Sequence, residues 1–254
     1  MNIEVVTTFN QKLYDVYAKD FLKTYNWPYK LNIVTDDRFS DSSYDVNWLG
    51  PSDDHEDFLN RHKDQRFGKI YSVIEDGVRC CHKIFAYTDL AIKGDLDYLI
   101  FIDADVIFKK PLCKNELFEL FYPDKESLFS TYIRRNEYAE SFGGPKWAET
   151  GVMFFNLKNP KCIDFLLELR ELYVSDKVWE NENQIDSYSV YILIEKYEKE
   201  GNKFFDLCIG IPPEKWYSPM QFCPKATLYW QHNKGLGAKF GTTESGNKFY
   251  GYPK

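Results

Sequence analysis

Residues 98–112 read YLIFIDADVIFKKPL, and this stretch decides the fold. Its first five residues are all apolar, which is typical of a central strand of a parallel sheet that is buried on both faces. The strand ends in Asp103-Ala104-Asp105. Because residues i and i+2 of an extended segment point the same way, the two carboxylates can face one spot. We therefore expect a buried strand with a pair of carboxylates at its carboxyl end.

The charge of this pair points to a metal. Two like charges held close together raise each other's pKa unless a cation lies between them. Ligands of open α/β sheets bind outside the carboxyl ends of the strands, so a divalent metal that carries a phosphate ligand fits both conditions. With 21 aspartates in the chain, composition alone predicts roughly 1.7 D-x-D patterns. The second one, Asp95/Asp97, lies in a polar turn that is typical of solvated surface. The alternative for Asp103 and Asp105 is a solvated pair that caps the next element.

Outward from this strand, strands and helices alternate, which predicts an α/β fold with a mostly parallel sheet. The polar, acidic segment 36–69 has no clear periodicity and predicts a functional loop, a lid or a locally disordered insert. No internal repeat or interdomain linker is visible. The predicted strands are 3–8, 31–35, 98–102, 127–133, 152–157, 204–209 and 226–230, and the predicted helices are 9–25, 78–92, 162–173 and 184–199.

Composition excludes several classes of protein. The chain has 254 residues, of which 44% are hydrophobic and 28% charged, so wholesale disorder is excluded. No run approaches the ~20 apolar residues of a membrane span, and no signal peptide is visible, so a cytoplasmic location is expected (host cytoplasm if the source is viral). The net charge of −7 argues against general nucleic-acid binding. The six cysteines predict reduced, mostly buried thiols.

YLIFIDADVIFKKPL resembles the D-x-D segment of nucleotide-sugar glycosyltransferases with the GT-A fold, in particular family 8 and its relatives. Four other features of those enzymes follow the same chain order here: a first strand, a basic helix before the D-x-D strand, a G-x-x-x-x-N strand at 151–156 and a histidine near the C-terminus. The resemblance implies one Rossmann-like GT-A domain over residues 1–254. Its parts would be a nucleotide-binding half (1–112), a sugar and acceptor half (113–235) and a basic, Gly-rich tail (236–254).

By this resemblance, Asp103, Asp105 and His232 would bind Mn²⁺ or Mg²⁺, and Asp103 would share the metal or hold the ribose. An imidazole among carboxylates favours Mn²⁺ over Mg²⁺. His232 begins an H-x-x-G pattern, but the family's lysine position holds Ala238. The phosphate of the donor would therefore be bound by Lys234 or Lys239, or by neither of them.

The resemblance also implies further donor-binding and catalytic residues. Thr8 could instead cap a helix, Asp36 could be an ordinary loop residue, and Arg79 and Lys83 could be a surface pair. The residues assigned to the nucleotide sugar are Thr7, Thr8, Phe9, Asp36, Arg79, Lys83, Asp103, Ala104, Gly151, Lys234 and Gly235.

The catalytic candidates are Asp186, Gln184 and Glu149. Asp186 suits the base of an inverting enzyme, and Gln184 or Asp186 suits the polar group that a retaining enzyme needs. Helix capping by Asn183 or Asp186 is the structural alternative. Glu149 is a candidate for the sugar hydroxyls or the acceptor.

The sequence therefore predicts a metal-dependent glycosyltransferase that uses a nucleotide-diphosphate sugar, with a UDP-sugar favoured. The acceptor stays open between a glycan, a protein, a lipid-linked sugar and a modified DNA base, and the oligomeric state is open too. One alternative is a haloacid-dehalogenase-like phosphohydrolase, whose D-x-D lies on the first strand, whereas here it comes after a full β-α-β unit. The other alternative is a non-catalytic sugar-binding module.

Overall fold

The centre of the protein is a seven-stranded sheet of order β3-β2-β1-β4-β7-β6-β8. The computed structural model describes residues 1–62, 76–122, 124–135, 147–216 and 219–232. Neighbouring strands are parallel except at β7, which runs antiparallel to both β4 and β6, so the expected mostly parallel α/β sheet is confirmed. A second sheet pairs β5 with β9. The strands are β1 (Ile3–Thr8), β2 (Lys30–Val34), β3 (Asn47–Leu49), β4 (Tyr98–Ile102), β5 (Val106–Phe108), β6 (Phe129–Ile133), β7 (Ala148–Asn156), β8 (Phe205–Asp206) and β9 (Trp230–His232).

Helices cover both faces of the large sheet. On one face, β4 contributes Leu99 and Phe101 to a core shared with the helices Gly77–Ile92, Pro160–Val174 and Asp186–Lys199. On the other face, Ile100 and Ile102 pack with residues such as Phe121 and Trp230. The helices are α1 (Gln11–Leu13), continued by a π-helix (Tyr14–Ala18) into α2 (Lys19–Thr24), then α3 (Asp53–His62), α4 (Gly77–Ile92), α5 (Lys114–Phe121), α6 (Pro160–Val174), α7 (Asp186–Lys199) and α8 (Pro219–Phe222). Short 3₁₀ helices occupy Lys177–Glu180, Pro213–Lys215 and Ala226–Leu228.

The strand β4 has the bounds that the sequence predicts, and all five of its residues are buried. It lies between β1, to which it is parallel, and β7, to which it is antiparallel. The alternation of Ile100 and Phe101 between two cores explains the unbroken apolar run, because neither face of this strand meets water. The chain then leaves the sheet at Asp103 and forms β5 after Asp105.

Two predictions about local structure are wrong. Of the segment 36–69, predicted as irregular, residues 36–62 contain β3 and α3, and residues 63–69 lie outside the described residues. The buried side chains of α3 are His55, Phe58 and His62, so its inward strip is mostly histidine and its helical period is hard to see in the sequence. Residues 226–230, predicted as a strand, begin as a 3₁₀ helix, and the strand starts at Trp230.

The prediction about the cysteines is confirmed. All six cysteines are free, and five of them are buried, the exception being Cys113. In the described parts of the chain, no helix combines the length and the apolar character that crossing a bilayer requires.

We predict that Ile100→Ala destabilises the protein by about 2–5 kcal/mol, because it leaves a cavity at the centre of the sheet. Ile100 is 0% exposed, whereas Ile209 is 72% exposed, so Ile209→Ala is the matched control. Urea unfolding followed by circular dichroism measures both. Equal losses for the two variants would contradict the central position of β4.

Candidate metal and donor site

Asp103, Asp105 and His232 converge where β4 leaves the sheet. One ligand atom from each lies within 4.8 Å of the other two, and His232 Nε2 lies 3.2 Å from Asp105 Oδ1. The pairing of β5 with β9 produces this contact, because its register places Val106 opposite His232. The small sheet thus brings a residue from the C-terminal part of the chain to the D-x-D segment.

The chemistry of this group fits a divalent metal. Asp105 and His232 are buried, at 3% and 4% exposure, while Asp103 is half-buried. Within the described residues, neither ring nitrogen of His232 has a hydrogen-bond partner. A buried polar nitrogen without a partner is costly, and a bound cation would satisfy it. Two carboxylates with one imidazole are donors that suit Mn²⁺.

Lys83 joins this group from the middle of α4. Its ammonium lies 2.8 Å from Asp103 Oδ1 and 3.5 Å from Asp186 Oδ2. Burial alone would lower the pKa of Lys83, but Asp103 and Asp186 outweigh that effect and hold it well above its ordinary value. Lys83 is therefore a fixed positive charge between two of the carboxylates.

Asp186 is the first residue of α7 and is buried beside Thr150. The Thr150 hydroxyl donates a hydrogen bond to Asp186 Oδ2. Burial opposes ionisation of Asp186, but Lys83 and Thr150 favour it, and the net result is a lowered pKa. Asp186 is thus held as an anion. Thr150 was not singled out from the sequence, where no pattern marks it.

A bulge in β7 brings residues 149–151 toward the site. Between the pairs Ser130–Phe154 and Tyr132–Glu149, β6 advances two residues while β7 advances five. The Thr131 hydroxyl donates to the Glu149 carbonyl at 2.9 Å and closes the irregular segment. Bulges of this kind re-aim side chains beside functional sites. Residues 148–151 belong to this bulged strand, which therefore begins four residues before the predicted strand 152–157.

Gly151 lies directly against Asp103. Its carbonyl accepts a hydrogen bond from the Asp103 backbone N–H at 2.8 Å. A Cβ at this position would lie 3.0 Å from Asp103 Oδ2 and 3.3 Å from Glu149 Oε1, and it would collide with Met220 Sδ. The site therefore leaves no room for a side chain here. The same distances show that the Glu149 carboxylate belongs to the group around Asp103.

Tyr17 also faces the carboxylates, although the sequence interpretation did not include it in the site. Burial raises the pKa of Tyr17, and the negative charges of Asp105 and Asp103 raise it further. The residue lies on the π-helix that follows β1. Its hydroxyl is therefore kept protonated, as a hydrogen-bond donor near Asp103 and Asp105.

The residues at the end of β1 differ in their burial and in their hydrogen-bond partners. Thr7 is fully buried, and its hydroxyl has no hydrogen-bond partner among the described residues. The Thr8 hydroxyl donates to the Val34 carbonyl at 2.8 Å. Asn10, rather than Thr8, caps the following helix. Phe9 is buried between Tyr14 and Trp48 and is a core residue.

The other predicted site residues have different surroundings. Ala104 is buried in the core. Arg79 is exposed one turn before Lys83, and Gln184 donates to the Asn181 carbonyl and packs against Gly77. Asp36 lies beside His82. Lys234 and Gly235, together with the tail 236–254, lie outside the described residues.

We predict that Lys83→Met lowers the free energy of unfolding by about 3 kcal/mol, because it leaves two carboxylates without their cation. Lys196, which pairs with Glu168 at 2.6 Å and is 50% exposed, provides the matched control. We expect Lys196→Met to cost less than about 1 kcal/mol, as exposed ion pairs do. Urea unfolding at pH 7 in the presence of a chelator measures both values. Similar small losses of unfolding free energy in both variants would mean that Lys83 does not stabilise the charged forms of Asp103 and Asp186.

No family model matches the chain, and no curated protein matches it. Among solved structures, the apo form of mouse xyloside xylosyltransferase 1 is similar with a TM-score of 0.53 and 10% identity, over 93% of this chain and 99% of that one. Galactosyltransferase LgtC, with donor and acceptor sugar analogues, has a TM-score of 0.43 and 14% identity, over 75% and 70% of the two chains. GlyE from Streptococcus pneumoniae TIGR4 has a TM-score of 0.44 and 19% identity, over 81% of this chain and 45% of its own. The likeness to the mouse protein shows that this chain has the GT-A fold.

Proposed function

We propose that the protein is a metal-dependent glycosyltransferase that moves a sugar from a nucleotide-diphosphate donor to an acceptor hydroxyl. The observation that carries the proposal is the meeting of Asp103, Asp105 and His232 at the end of the central strand of a GT-A fold. The similar solved structures are named as a xylosyltransferase and a galactosyltransferase. A UDP-sugar donor and membership of family 8 are part of this proposal and come from the D-x-D resemblance.

Asp103, Asp105 and His232 would hold the metal, with Mn²⁺ preferred over Mg²⁺ because one donor is an imidazole. When bound, a divalent cation neutralises the negative charge that develops on the leaving diphosphate. The surrounding carboxylates also explain why a cation is needed. Asp103, Asp105, Glu149 and Asp186 bring four carboxyl groups to one region, and the ion pairs of the described residues place Lys83 there as a counter-charge.

The protein's own groups would position the donor. The Tyr17 hydroxyl, held protonated, can donate a hydrogen bond to a phosphate or sugar oxygen. Gly151 lets the Asp103 carboxylate approach the backbone of β7 closely, which places it beside Glu149. Lys83 supplies positive charge on the side of Asp103 that faces Asp186. Residues 1–112 would supply the nucleotide side of the site and residues 113–235 the sugar and acceptor side, within one domain.

Asp186 suits a positioning role better than the role of general base. A general base works best with a pKa near the operating pH, whereas Lys83 and Thr150 lower the pKa of Asp186. Asp186 would therefore orient Lys83. Glu149, whose carboxylate lies beside Gly151 and Asp103, is the better placed candidate for the sugar hydroxyls or the acceptor. Analysis of the product anomer by NMR would distinguish retention from inversion.

The two alternative functions differ in what they predict. The phosphohydrolase is not favoured, because the D-x-D follows β4 and not β1. A sugar-binding module with the same metal site would bind a nucleotide sugar without consuming it. Turnover of the donor therefore separates an enzyme from a binding module.

A panel of UDP, GDP, CDP, ADP and dTDP, each with and without Mn²⁺, tests the donor class by thermal shift. At 100 times its Kd, one diphosphate should raise Tm by roughly 5–10 °C, because binding to the folded state alone stabilises it by about 2.7 kcal/mol. The rise should require the metal. If none of the five raises Tm, the nucleotide-sugar proposal fails.

We predict that Asp105→Asn abolishes metal-dependent hydrolysis and transfer of the donor, because it removes a buried charged ligand. The matched control is Asp95→Asn in the other D-x-D pair, at an exposed position in a turn. Mn²⁺ binding followed by electron paramagnetic resonance should be lost only in Asp105→Asn. Normal donor turnover by the Asp105→Asn variant would contradict the metal site.

A further inference from the structure

A second group of metal-ligating side chains lies between α3 and α4, apart from the carboxylate site. His55 on α3 and the neighbours Cys81 and His82 on α4 each offer one ligand atom, and these atoms all lie within 4.8 Å of one another. None of the three belongs to the proposed transferase mechanism. We refer to these three residues as the His–Cys cluster.

The two histidines face each other directly. His55 Nε2 lies 2.9 Å from His82 Nδ1, at hydrogen-bond distance. A tetrahedral zinc ion with nitrogen ligands at about 2.0–2.1 Å holds two nitrogens about 3.4 Å apart. The rings would thus need to separate by about half an ångström to admit an ion between them. Such a change lies within the reach of small side-chain rotations.

His55 has the surroundings of a buried ligand. It is 0% exposed, and its ring stacks on Phe85 with centroids 4.9 Å apart. Its Nδ1 has no hydrogen-bond partner among the described residues. Nε2, which faces His82, is the nitrogen that a cation would bind, and the stacking on Phe85 holds the ring in that orientation.

Asp36 completes the arrangement around His82. Its Oδ2 lies 3.7 Å from His82 Nε2, the ring nitrogen that does not face His55. Metal-ligating histidines commonly donate their second N–H to a carboxylate, which fixes the tautomer and the ring orientation. Asp36 is therefore placed to orient His82 rather than to bind the ion itself.

Cys81 decides which metal suits the cluster. Its thiol is buried and donates to the Val78 carbonyl at 3.0 Å. A thiolate with two imidazoles is a soft donor set that selects zinc over Mn²⁺ and Mg²⁺. The sulfur would lose its proton to solvent as the sulfur–metal bond forms, so binding releases one proton.

We propose that His55, Cys81 and His82 form a zinc site that fastens α3 to α4, with water in the fourth position. The proposal does not rest on the proposed transferase activity. The proposed zinc ligands lie on a pair of helices and not at the end of the central strand. Their donor atoms include sulfur, whereas those of the carboxylate site are oxygen and nitrogen.

The test uses Co²⁺ as a spectroscopic substitute for zinc. Protein stripped with a chelator is titrated with Co²⁺, and the thiolate-to-cobalt charge-transfer band in the near ultraviolet is recorded. Wild type should show this band at one equivalent, and zinc should displace it. Metal analysis of the wild-type protein after zinc loading and dialysis gives the stoichiometry without any variant.

Two variants and two controls locate the signal. Cys81→Ser and His55→Gln should lose the band, with unchanged far-ultraviolet circular dichroism. Cys162→Ser, also at a buried cysteine, should keep it, and so should Asp105→Asn, whose loss of Mn²⁺ binding belongs to the other site. A failure of the transferase proposal would leave these results unchanged.

The proposal is overturned if wild type shows no thiolate band, or if the band survives in Cys81→Ser. In either case the contact between His55 and His82 is an ordinary hydrogen bond beside a buried thiol. If Cys81→Ser does not fold, His55→Gln and the zinc content of the Asp105→Asn protein, which lacks the other proposed metal site, decide the question.

Discussion

The arrangement of the site depends on the repulsion between the carboxylates that lie near one another at the carboxyl end of β4. Asp103 and Asp105 come from the D-x-D segment, Glu149 from the bulged β7 and Asp186 from the start of α7. Burying such charges is costly unless each is paired. Lys83 lies between Asp103 and Asp186, and the unbonded imidazole of His232 lies against Asp105. The carboxylates therefore carry more negative charge than Lys83 alone neutralises. This excess of negative charge is why the arrangement suits a divalent cation.

Backbone pairing sets the positions of these groups more than side-chain packing does. The hydrogen bond from the Asp103 N–H to the Gly151 carbonyl joins the D-x-D segment to the bulge of β7. The register of β5 on β9 fixes the position of His232 opposite Val106. Because both constraints are hydrogen bonds of the main chain, they hold the ligands whether or not an ion is bound. Such preorganisation would lower the cost of binding the proposed metal and diphosphate.

The sequence could predict the features that depend on local pattern. The unbroken apolar run of β4 and the two aspartates after it predict the central strand and a group of metal-ligating residues. In the structure, Asp103 and Asp105 lie with His232 at the end of this strand. Sequence could not predict the bulge that brings Thr150 to Asp186, because a bulge arises from pairing with β6. It also missed α3, whose inward strip includes His55 and His62, since histidine has no clear apolar signal. The roles of Lys234 and Gly235, and the boundary at residue 112, stay predictions.

Helix α4 links the two proposed metal sites. Consecutive residues of a helix project about 100° apart, so Lys83 can reach Asp103 while Cys81 and His82 turn toward α3. Each site would then select its ion by donor chemistry. The ligand atoms are oxygen and nitrogen at the end of β4, and sulfur and nitrogen between α3 and α4. An ion that fixed α3 to α4 would also fix the helix that carries Lys83. Asp36, which follows β2, would contribute by orienting His82. Helix α3, in a segment that the sequence presents as irregular, would thus support the donor site from outside the sheet.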